Sequence, residues 1–132
     1  MAINGRELVE KLRSEVAEIS VSQLHKRLQQ NPQAIVIDIR EVSETNAGSI
    51  SAATLIPRGV LEMQIDSASS IQQRFATLDE LASQPVYLLC RSGARSVFSA
   101  ISLQQMGFKE VYSIKGGFLA WEAAGYEVSV VS

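Results

Sequence analysis

Cys90 is the only cysteine in this chain of 132 residues, and it ends an apolar run at positions 86–90. The residues from Cys90 to Ser96 read Cys-Arg-Ser-Gly-Ala-Arg-Ser, a short loop with two arginines and a glycine. The backbone N–H groups of such a loop can turn inward and bind an anion, and the positive end of a following helix strengthens the site. These surroundings favour the thiolate, which is the reactive form of cysteine. The pattern therefore predicts a reactive Cys90 rather than an inert core cysteine.

The charge distribution around Cys90 points the same way. The chain has a formal net charge of −2, yet no Asp or Glu occurs between Leu81 and Lys109, while Arg91 and Arg95 do. This local positive excess predicts a small anionic ligand. The acidic chain as a whole gives no reason to expect a nucleic acid partner.

Two reactions use a thiolate in an anion-binding loop. One is hydrolysis of a phosphate ester through a phosphocysteine, and the other is transfer of sulfur through a persulfide. Cysteine-dependent phosphatases share a Cys-x5-Arg loop, whereas here four residues separate Cys90 from Arg95 and position 96 is serine. A shorter loop encloses a smaller space, which fits a terminal sulfur better than a tetrahedral phosphate. The spacing favours sulfur transfer and leaves a phosphatase as the less favoured alternative.

Alternating strands and helices are predicted to position this loop. Short apolar or β-branched runs predict strands at 35–39, 53–56, 86–90 and 111–114, helical spacing occurs at 22–30, 71–83 and 94–106, and residues 64–70 are predicted as loop. The alternation predicts an α/β fold with a parallel sheet of about five strands and helices on both faces. Ligands of such sheets bind at the carboxyl ends of the strands, where Cys90 is expected.

The rest of the chain suggests one domain with an addition at its amino end. Residues 1–17 are predicted as a helical appendage with Val9 and Val16 on its inner face, and residues 18–132 as the domain. No apolar run approaches the ~18 residues of a membrane helix, and the amino terminus lacks the apolar stretch of a secretory signal. We therefore expect a cytoplasmic protein without a membrane partner. One cysteine and one histidine cannot build a Cys-rich or multi-histidine metal site, so no metal and no cofactor is expected.

Four segments together resemble the single-domain rhodaneses, a family of sulfurtransferases. They are the Asp-x-Arg segment at 36–41, the Gly-Ser-Ile to Ile-Pro segment at 48–57, the loop at 90–96, and the Gly-Phe and Gly-Gly-Phe-Leu-Ala-Trp segments within 107–121. The resemblance covers roughly residues 19–126, most of the chain. The second segment departs from the family pattern, since Ser49 stands where a histidine is frequent, Ser51-Ala52 replaces Pro-Gly and Thr54 stands near the usual asparagine.

The resemblance implies a rhodanese-like three-layer sandwich and an enzyme of the thiosulfate sulfurtransferase type. Cys90 would carry the persulfide, and the outer sulfur would lie in a cradle formed by Arg91, Ser92, Gly93, Ala94, Arg95 and Ser96. An anionic donor such as thiosulfate would load the cysteine, and a thiophilic acceptor would remove the sulfur. Alternatives are a sulfur carrier that a partner protein such as a desulfurase loads, and a domain that has lost catalysis and serves interactions alone.

Asp38 and a glycine pair need a structural explanation. Asp38 falls within a predicted buried strand, where a carboxylate must be paired. Arg58 follows the next strand and is the candidate partner, in an ion pair that supports the site, and Arg40 is expected near the same edge. Gly116 and Gly117 are expected to form a turn, and the alternative is that their backbone must approach the Cys90 loop closely.

Overall fold

A sheet of five parallel strands forms the centre of the computed structural model, which describes residues 1–130. The strands are β1 (Ala17–Ile19), β2 (Ile35–Asp38), β3 (Ala53–Leu55), β4 (Pro85–Leu89) and β5 (Glu110–Ile114). They lie in the order β1-β5-β4-β2-β3, and every neighbouring pair is parallel. The predicted parallel sheet of about five strands is confirmed.

Helices cover both faces of this sheet. They are α1 (Gly5–Leu12), α2 (Val21–Gln30), α3 (Val42–Thr45), α4 (Leu61–Gln64), α5 (Ser69–Gln72), α6 (Leu78–Ala82), α7 (Arg95–Gln105) and α8 (Gly117–Ala123), with short 3₁₀ turns at Arg13–Glu15 and Arg58–Val60. Helices α1 and α7 pack together on one face, and α2 and α8 pack together on the other. This arrangement is the predicted three-layer sandwich. None of the helices within residues 1–130 is long and apolar enough to cross a membrane.

The central strands alternate their side chains between two apolar layers. The layer beneath α7 takes Ile35, Ile37, Ile39, Val86, Leu88 and Cys90, and the layer beneath α2 and α8 takes Val36, Tyr87 and Leu89. Because successive residues of a strand face opposite sides, near-continuous apolar runs require cover on both faces. Cys90 continues this alternation, so its side chain enters the α7 layer.

Local signals determine where the flanking helices begin and end. The Ser20 hydroxyl accepts the backbone N–H of Gln23, and the Gln23 side chain accepts that of Ser20, which forms a capping box at the start of α2. Gly107 follows α7 with a φ of +94°, a left-handed conformation that ends a helix at little cost for glycine.

Three predicted elements differ from the structure. The helix predicted at 71–83 is two short helices, α5 and α6, because the Thr77 hydroxyl accepts the N–H of Glu80 and caps a new start. Helices α4 and α5 also extend into the predicted loop at 64–70. Strand β1 was not predicted, and it begins at Ala17, the last residue of the predicted appendage. Val9 and Val16 are buried in the same apolar layer as α7; the division of the chain after residue 17 stays a prediction.

A buried ion pair closes the carboxyl end of β2. The Asp38 carboxylate has no exposed surface, and it accepts hydrogen bonds from Arg40 Nη2 at 2.8 Å and Nε at 3.0 Å. The Ser49 hydroxyl donates to the same carboxylate at 2.7 Å, and Arg40 Nη2 also donates to the Gly48 carbonyl at 2.7 Å. Ser49 therefore has a structural function at the position where the family often has histidine.

The predicted pairing of Asp38 with Arg58 is wrong. Residues i and i+2 of an extended chain project to the same side, so Arg40 reaches Asp38 directly and occupies that place. Arg58 is exposed, and its guanidinium lies 4.9 Å from the centre of the Phe98 ring. Its backbone N–H donates to the carbonyl of Ile39 at 2.9 Å, so Arg58 still lies beside the end of β2.

Replacing Asp38 tests the weight of this network. We expect Asp38→Ala to lower the free energy of unfolding by about 3–5 kcal/mol, because Arg40 would remain buried without its counter-charge. Urea unfolding measures the loss, and Asp66→Ala, at an exposed carboxylate, is the control expected to change it by less than about 0.5 kcal/mol. Equal stabilities of the two variants would contradict the prediction.

Candidate active site

The Cys90 sulfur sits within a ring of hydrogen-bond donors. The backbone N–H of Gly93 lies 3.1 Å from Sγ, and that of Ser96 lies 3.4 Å from it. The Ser96 hydroxyl is 3.3 Å from Sγ, and Cys90 itself has no exposed surface. Ser96 belongs to the first turn of α7, so the positive end of that 11-residue helix faces the sulfur. The arrangement stabilises negative charge on Sγ, as a thiolate nucleophile or a thiolate leaving group requires.

Helix α8 holds the start of the loop from behind. The backbone N–H of Phe118 donates to the Cys90 carbonyl at 2.8 Å, and that of Leu119 donates to the Arg91 carbonyl at 3.0 Å. Gly117 permits this approach, because a Cβ at that position would lie 2.6 Å from the Arg91 carbonyl oxygen and would also collide with that of Cys90. Its φ of +57° is a second reason for glycine.

The middle of the loop is equally close to the turn before α8. A Cβ on Gly93 would lie 3.1 Å from the backbone nitrogen of Gly116 and 3.1 Å from the Ile114 carbonyl oxygen, and the φ of Gly93 is +91°. Both interpretations of the glycine pair at 116–117 therefore hold: these residues form the turn, and they let its backbone touch the Cys90 loop.

An ion pair joins the loop to α3. Arg95 Nη1 and Nη2 donate to the two carboxylate oxygens of Glu44, each at 2.8 Å. These hydrogen bonds lower the pKa of Glu44 to about 2 and raise the pKa of Arg95 above its usual value. The positive charge predicted at Arg95 is thus shared with Glu44. Glu44 was not predicted as a site residue. Its partner Arg95 lies 51 residues further along the chain, and the closeness of Glu44 to the Asp-x-Arg motif that ends at Arg40 is the signal that the sequence offers.

Two hollows flank this ion pair. The first, of about 270 Å³, is lined by Arg40, Glu44, Arg91, Phe118 and Leu119 among others. The second, of about 410 Å³, is lined by Glu41, Arg58, Gly59, Glu62 and Arg95. The structure therefore brings Arg58 to the surroundings of the loop, although not to Asp38.

The predicted loop residues divide by exposure. Arg91 and Ser92 are exposed, Ala94 and Arg95 are half-buried, and Gly93 and Ser96 are buried. The buried members are those whose N–H groups face Sγ. Behind them the Ser96 hydroxyl lies 2.7 Å from the hydroxyl of Ser113 on β5. Ser113 was not predicted as a site residue, and a serine between apolar strand residues is the signal that was available.

The Glu44–Arg95 pair predicts a pH-dependent contribution to stability. The pKa of Glu44 is about 2 in the folded protein and near 4.5 without the pairing, so the pair stabilises the fold fully above about pH 5 and loses its effect as the pH falls toward 2. We expect Glu44→Gln to be about 1 kcal/mol less stable than the parent at pH 7, a value discounted for partial exposure. Unfolding by urea at a series of pH values measures the difference, which should vanish near pH 2; a constant difference would contradict this account.

Comparison with known proteins connects this geometry to a family. The model of the Rhodanese-like domain family matches residues 20–124. A proposed sulfurtransferase of Bacillus subtilis (strain 168), YtwF, is 32% identical over 108 residues, which are 82% of this chain and 92% of that protein. The thiosulfate sulfurtransferase GlpE of Pseudoalteromonas translucida (strain TAC 125) is 29% identical over 106 residues, 80% of this chain and 89% of that protein.

A solved structure from Rhodopseudomonas palustris CGA009 has a similar fold. It is described as a protein of unknown function and possible tyrosine phosphatase, is 27% identical, and superposes with a TM-score of 0.78 over 98% of this chain and 96% of that one. The family model and the relatives together support sulfurtransferase activity in general. The match over residues 20–124 includes the whole Cys90 loop, and the chain belongs to the rhodanese-like domain family.

Proposed function

We propose that this protein transfers a sulfane sulfur from a small anionic donor such as thiosulfate to a thiophilic acceptor through a persulfide on Cys90. The observation that carries the proposal is the set of donors at Sγ, two N–H groups within 3.4 Å and one hydroxyl at 3.3 Å. Such donors support both the attacking thiolate and the thiolate released later. The similarity to a thiosulfate sulfurtransferase adds support for this donor class.

The loading step forms one sulfur–sulfur bond and breaks another. The Cys90 thiolate attacks the outer sulfur of thiosulfate, and the electron pair of the donor's S–S bond leaves with sulfite. The product is a Cys90 persulfide, whose outer sulfur also carries negative charge. Residues 91–96 are the proposed cradle for that sulfur, because the N–H groups of Gly93 and Ser96 already face Sγ and the positive end of the α7 dipole lies beside them.

The discharge step regenerates the thiolate. A nucleophile such as cyanide or an external thiolate attacks the outer sulfur, and the electron pair of the S–S bond returns to Cys90 Sγ. The donors that stabilised the attacking thiolate now stabilise the leaving group. Because the chain has no second cysteine, the acceptor must come from outside it.

Arg91 is the cation that best suits donor binding. It is exposed and lines the hollow of about 270 Å³, whereas Arg95 and Arg40 are each paired with a carboxylate. Of the two arginines that line this hollow, Arg91 is the one without a carboxylate partner among residues 1–130. The sulfur itself is buried, so transfer requires side chains at the rim to move aside as the donor enters.

Two alternatives have defined tests. A sulfur carrier loaded by a partner protein would share the same Cys90 loop and would differ in its donor. A phosphatase is suggested by the description of the Rhodopseudomonas palustris relative, but four residues rather than five separate Cys90 from Arg95, and Arg95 is held by Glu44. The cytoplasmic location of the protein stays a prediction.

The direct test combines turnover with protein mass. With thiosulfate and cyanide, we expect the parent to form thiocyanate and Cys90→Ser to form none above the uncatalysed rate, because the attacking thiolate is gone. Intact-protein mass spectrometry after thiosulfate treatment should show one added sulfur that a reductant removes, in the parent alone. A Cys90→Ser variant as active as the parent would overturn the proposal.

The same samples separate the alternatives. A persulfide formed from a cysteine desulfurase and cysteine, together with poor turnover of thiosulfate, would favour the carrier. Hydrolysis of an aryl phosphate that depends on Cys90 would favour the phosphatase. No persulfide with either sulfur donor would count against both sulfur-transfer readings.

Arg91 gives a prediction about donor affinity. We expect Arg91→Ala to raise the KM for thiosulfate by roughly five- to tenfold and to change kcat less, because an exposed cation contributes mainly to anion binding. Steady-state kinetics at low ionic strength measure both constants. Lys109→Ala is the control, since Lys109 is an exposed cation next to the amino end of β5, whereas the Cys90 loop follows the carboxyl end of β4. A rise in KM of equal size in both variants would argue against a donor site at Arg91.

A further inference from the structure

Two buried serines lie behind Cys90 in an otherwise apolar environment. Ser96 and Ser113 have no exposed surface, and their hydroxyl oxygens are 2.7 Å apart. Ser113 lies on β5 in register with Leu88 of β4, two residues before Cys90. The Ser96 hydroxyl is 3.3 Å from Sγ, so a continuous series of hydrogen bonds runs from Ser113 through Ser96 to the sulfur.

Counting protons shows which hydroxyl donates and which accepts in this hydrogen-bond series. Each hydroxyl carries one proton, and a thiolate carries none. When Sγ is a thiolate, the Ser96 proton points to the sulfur, and the Ser96 oxygen is left to accept a proton from Ser113. Among residues 1–130, Ser96 is the one hydrogen-bond partner of the Ser113 hydroxyl, so nothing there competes for that proton. A neutral thiol can itself donate to Ser96, which then donates to Ser113. The direction of donation in this hydrogen-bond series therefore depends on the charge of the sulfur.

We infer that Ser113 is a positioning residue for the nucleophile: its hydroxyl donates to Ser96 and thereby holds the Ser96 proton on Cys90 Sγ. The inference deepens the proposed function, because both steps of the transfer depend on a thiolate at Sγ, consumed in loading and regenerated in discharge. Ser113 acts through Ser96 and does not itself contact sulfur. Hydrogen bonds in such a series strengthen one another in a buried environment.

Ser99 provides a matched control in the same helix. It lies one turn after Ser96 on α7 and is 2% exposed, and its hydroxyl has no hydrogen-bond partner among residues 1–130. Ser99→Ala therefore removes a buried hydroxyl that is not connected to the sulfur. Removing such an unpaired group is expected to cost the fold little.

The experiment is a pH titration of the Cys90 thiolate by its ultraviolet absorbance, with Cys90→Ser subtracted as the baseline. Since the chain has one cysteine, the signal comes from this site alone. We expect Ser113→Ala to move the titration midpoint upward by about half a pH unit, equivalent to roughly two- to fivefold less thiolate below the midpoint. Ser99→Ala should leave the midpoint in place. An equal midpoint in Ser113→Ala and Ser99→Ala would overturn the inference.

The double variant Ser96→Ala with Ser113→Ala tests whether Ser113 acts through Ser96. If Ser113 acts through Ser96, then Ser113→Ala should have no further effect once Ser96 is alanine. A second shift of the same size in the Ser96→Ala background would show that Ser113 acts by another route, and the inference would be wrong. The charged residues of the Cys90 loop and of the segments that contact it are unchanged in every variant compared; they are Asp38, Arg40, Glu44, Arg91, Arg95 and Lys115.

A further pair of variants separates orientation from packing. Ser113→Thr and Ser113→Val have nearly the same shape, and β-branched residues suit a strand, but one keeps the hydroxyl. The inference requires a lower midpoint in the threonine variant, and equal midpoints would contradict it. The titration uses no sulfur donor, so a shifted midpoint in a protein that forms no persulfide would support the serine chain while the proposed function fails.

Discussion

The carbonyl groups of Cys90 and Arg91 accept hydrogen bonds from the first turn of α8, and the geometry of the site depends on this contact. It fixes two successive peptide planes at the end of β4, and planar peptides leave the following residues few paths. The chain can then turn back so that the N–H groups of Gly93 and Ser96 face the sulfur. Gly117 makes the contact possible, since a side chain there would push α8 away.

Charged pairs surround this backbone arrangement without touching the sulfur. Asp38 and Arg40 close the end of β2, and the Arg40 guanidinium lies 4.0 Å from the centre of the Phe118 ring in α8. Glu44 and Arg95 join α3 to the start of α7. Four elements are thereby linked in pairs around one cysteine, β2 with α8 and α3 with α7. Arg40 and Arg95 are each paired with a carboxylate in this way, whereas Arg91 is exposed and forms no ion pair within residues 1–130.

Much of the architecture could be predicted because the central strands carry their own signal. The run at 35–39 is apolar and β-branched, and a strand that is buried on both faces needs little else to be recognised. Strand β1 could not be found this way, since Ala17–Ile19 is a short edge strand in which only Ile19 is buried. The partner of Asp38 is a different case: the spacing of two residues between Asp38 and Arg40 in an extended chain was a signal for their pairing, and Arg58, which follows the next strand, was predicted instead.

The site was predictable at its centre and less so at its edges. Cys90 and its loop are contiguous, so residue types and spacing sufficed to find them. Glu44 and Ser113 reach the loop from other elements, and only the folded chain brings them there. Cys90 also has no exposed surface. Oxidation of a thiolate to sulfenic and sulfinic acids depends on its exposure, and many redox-active proteins rescue the sulfenic acid with a second, resolving thiol. This chain has no second cysteine. The burial of Cys90 keeps oxidants away from its sulfur, and this protection takes the place of repair by a resolving thiol.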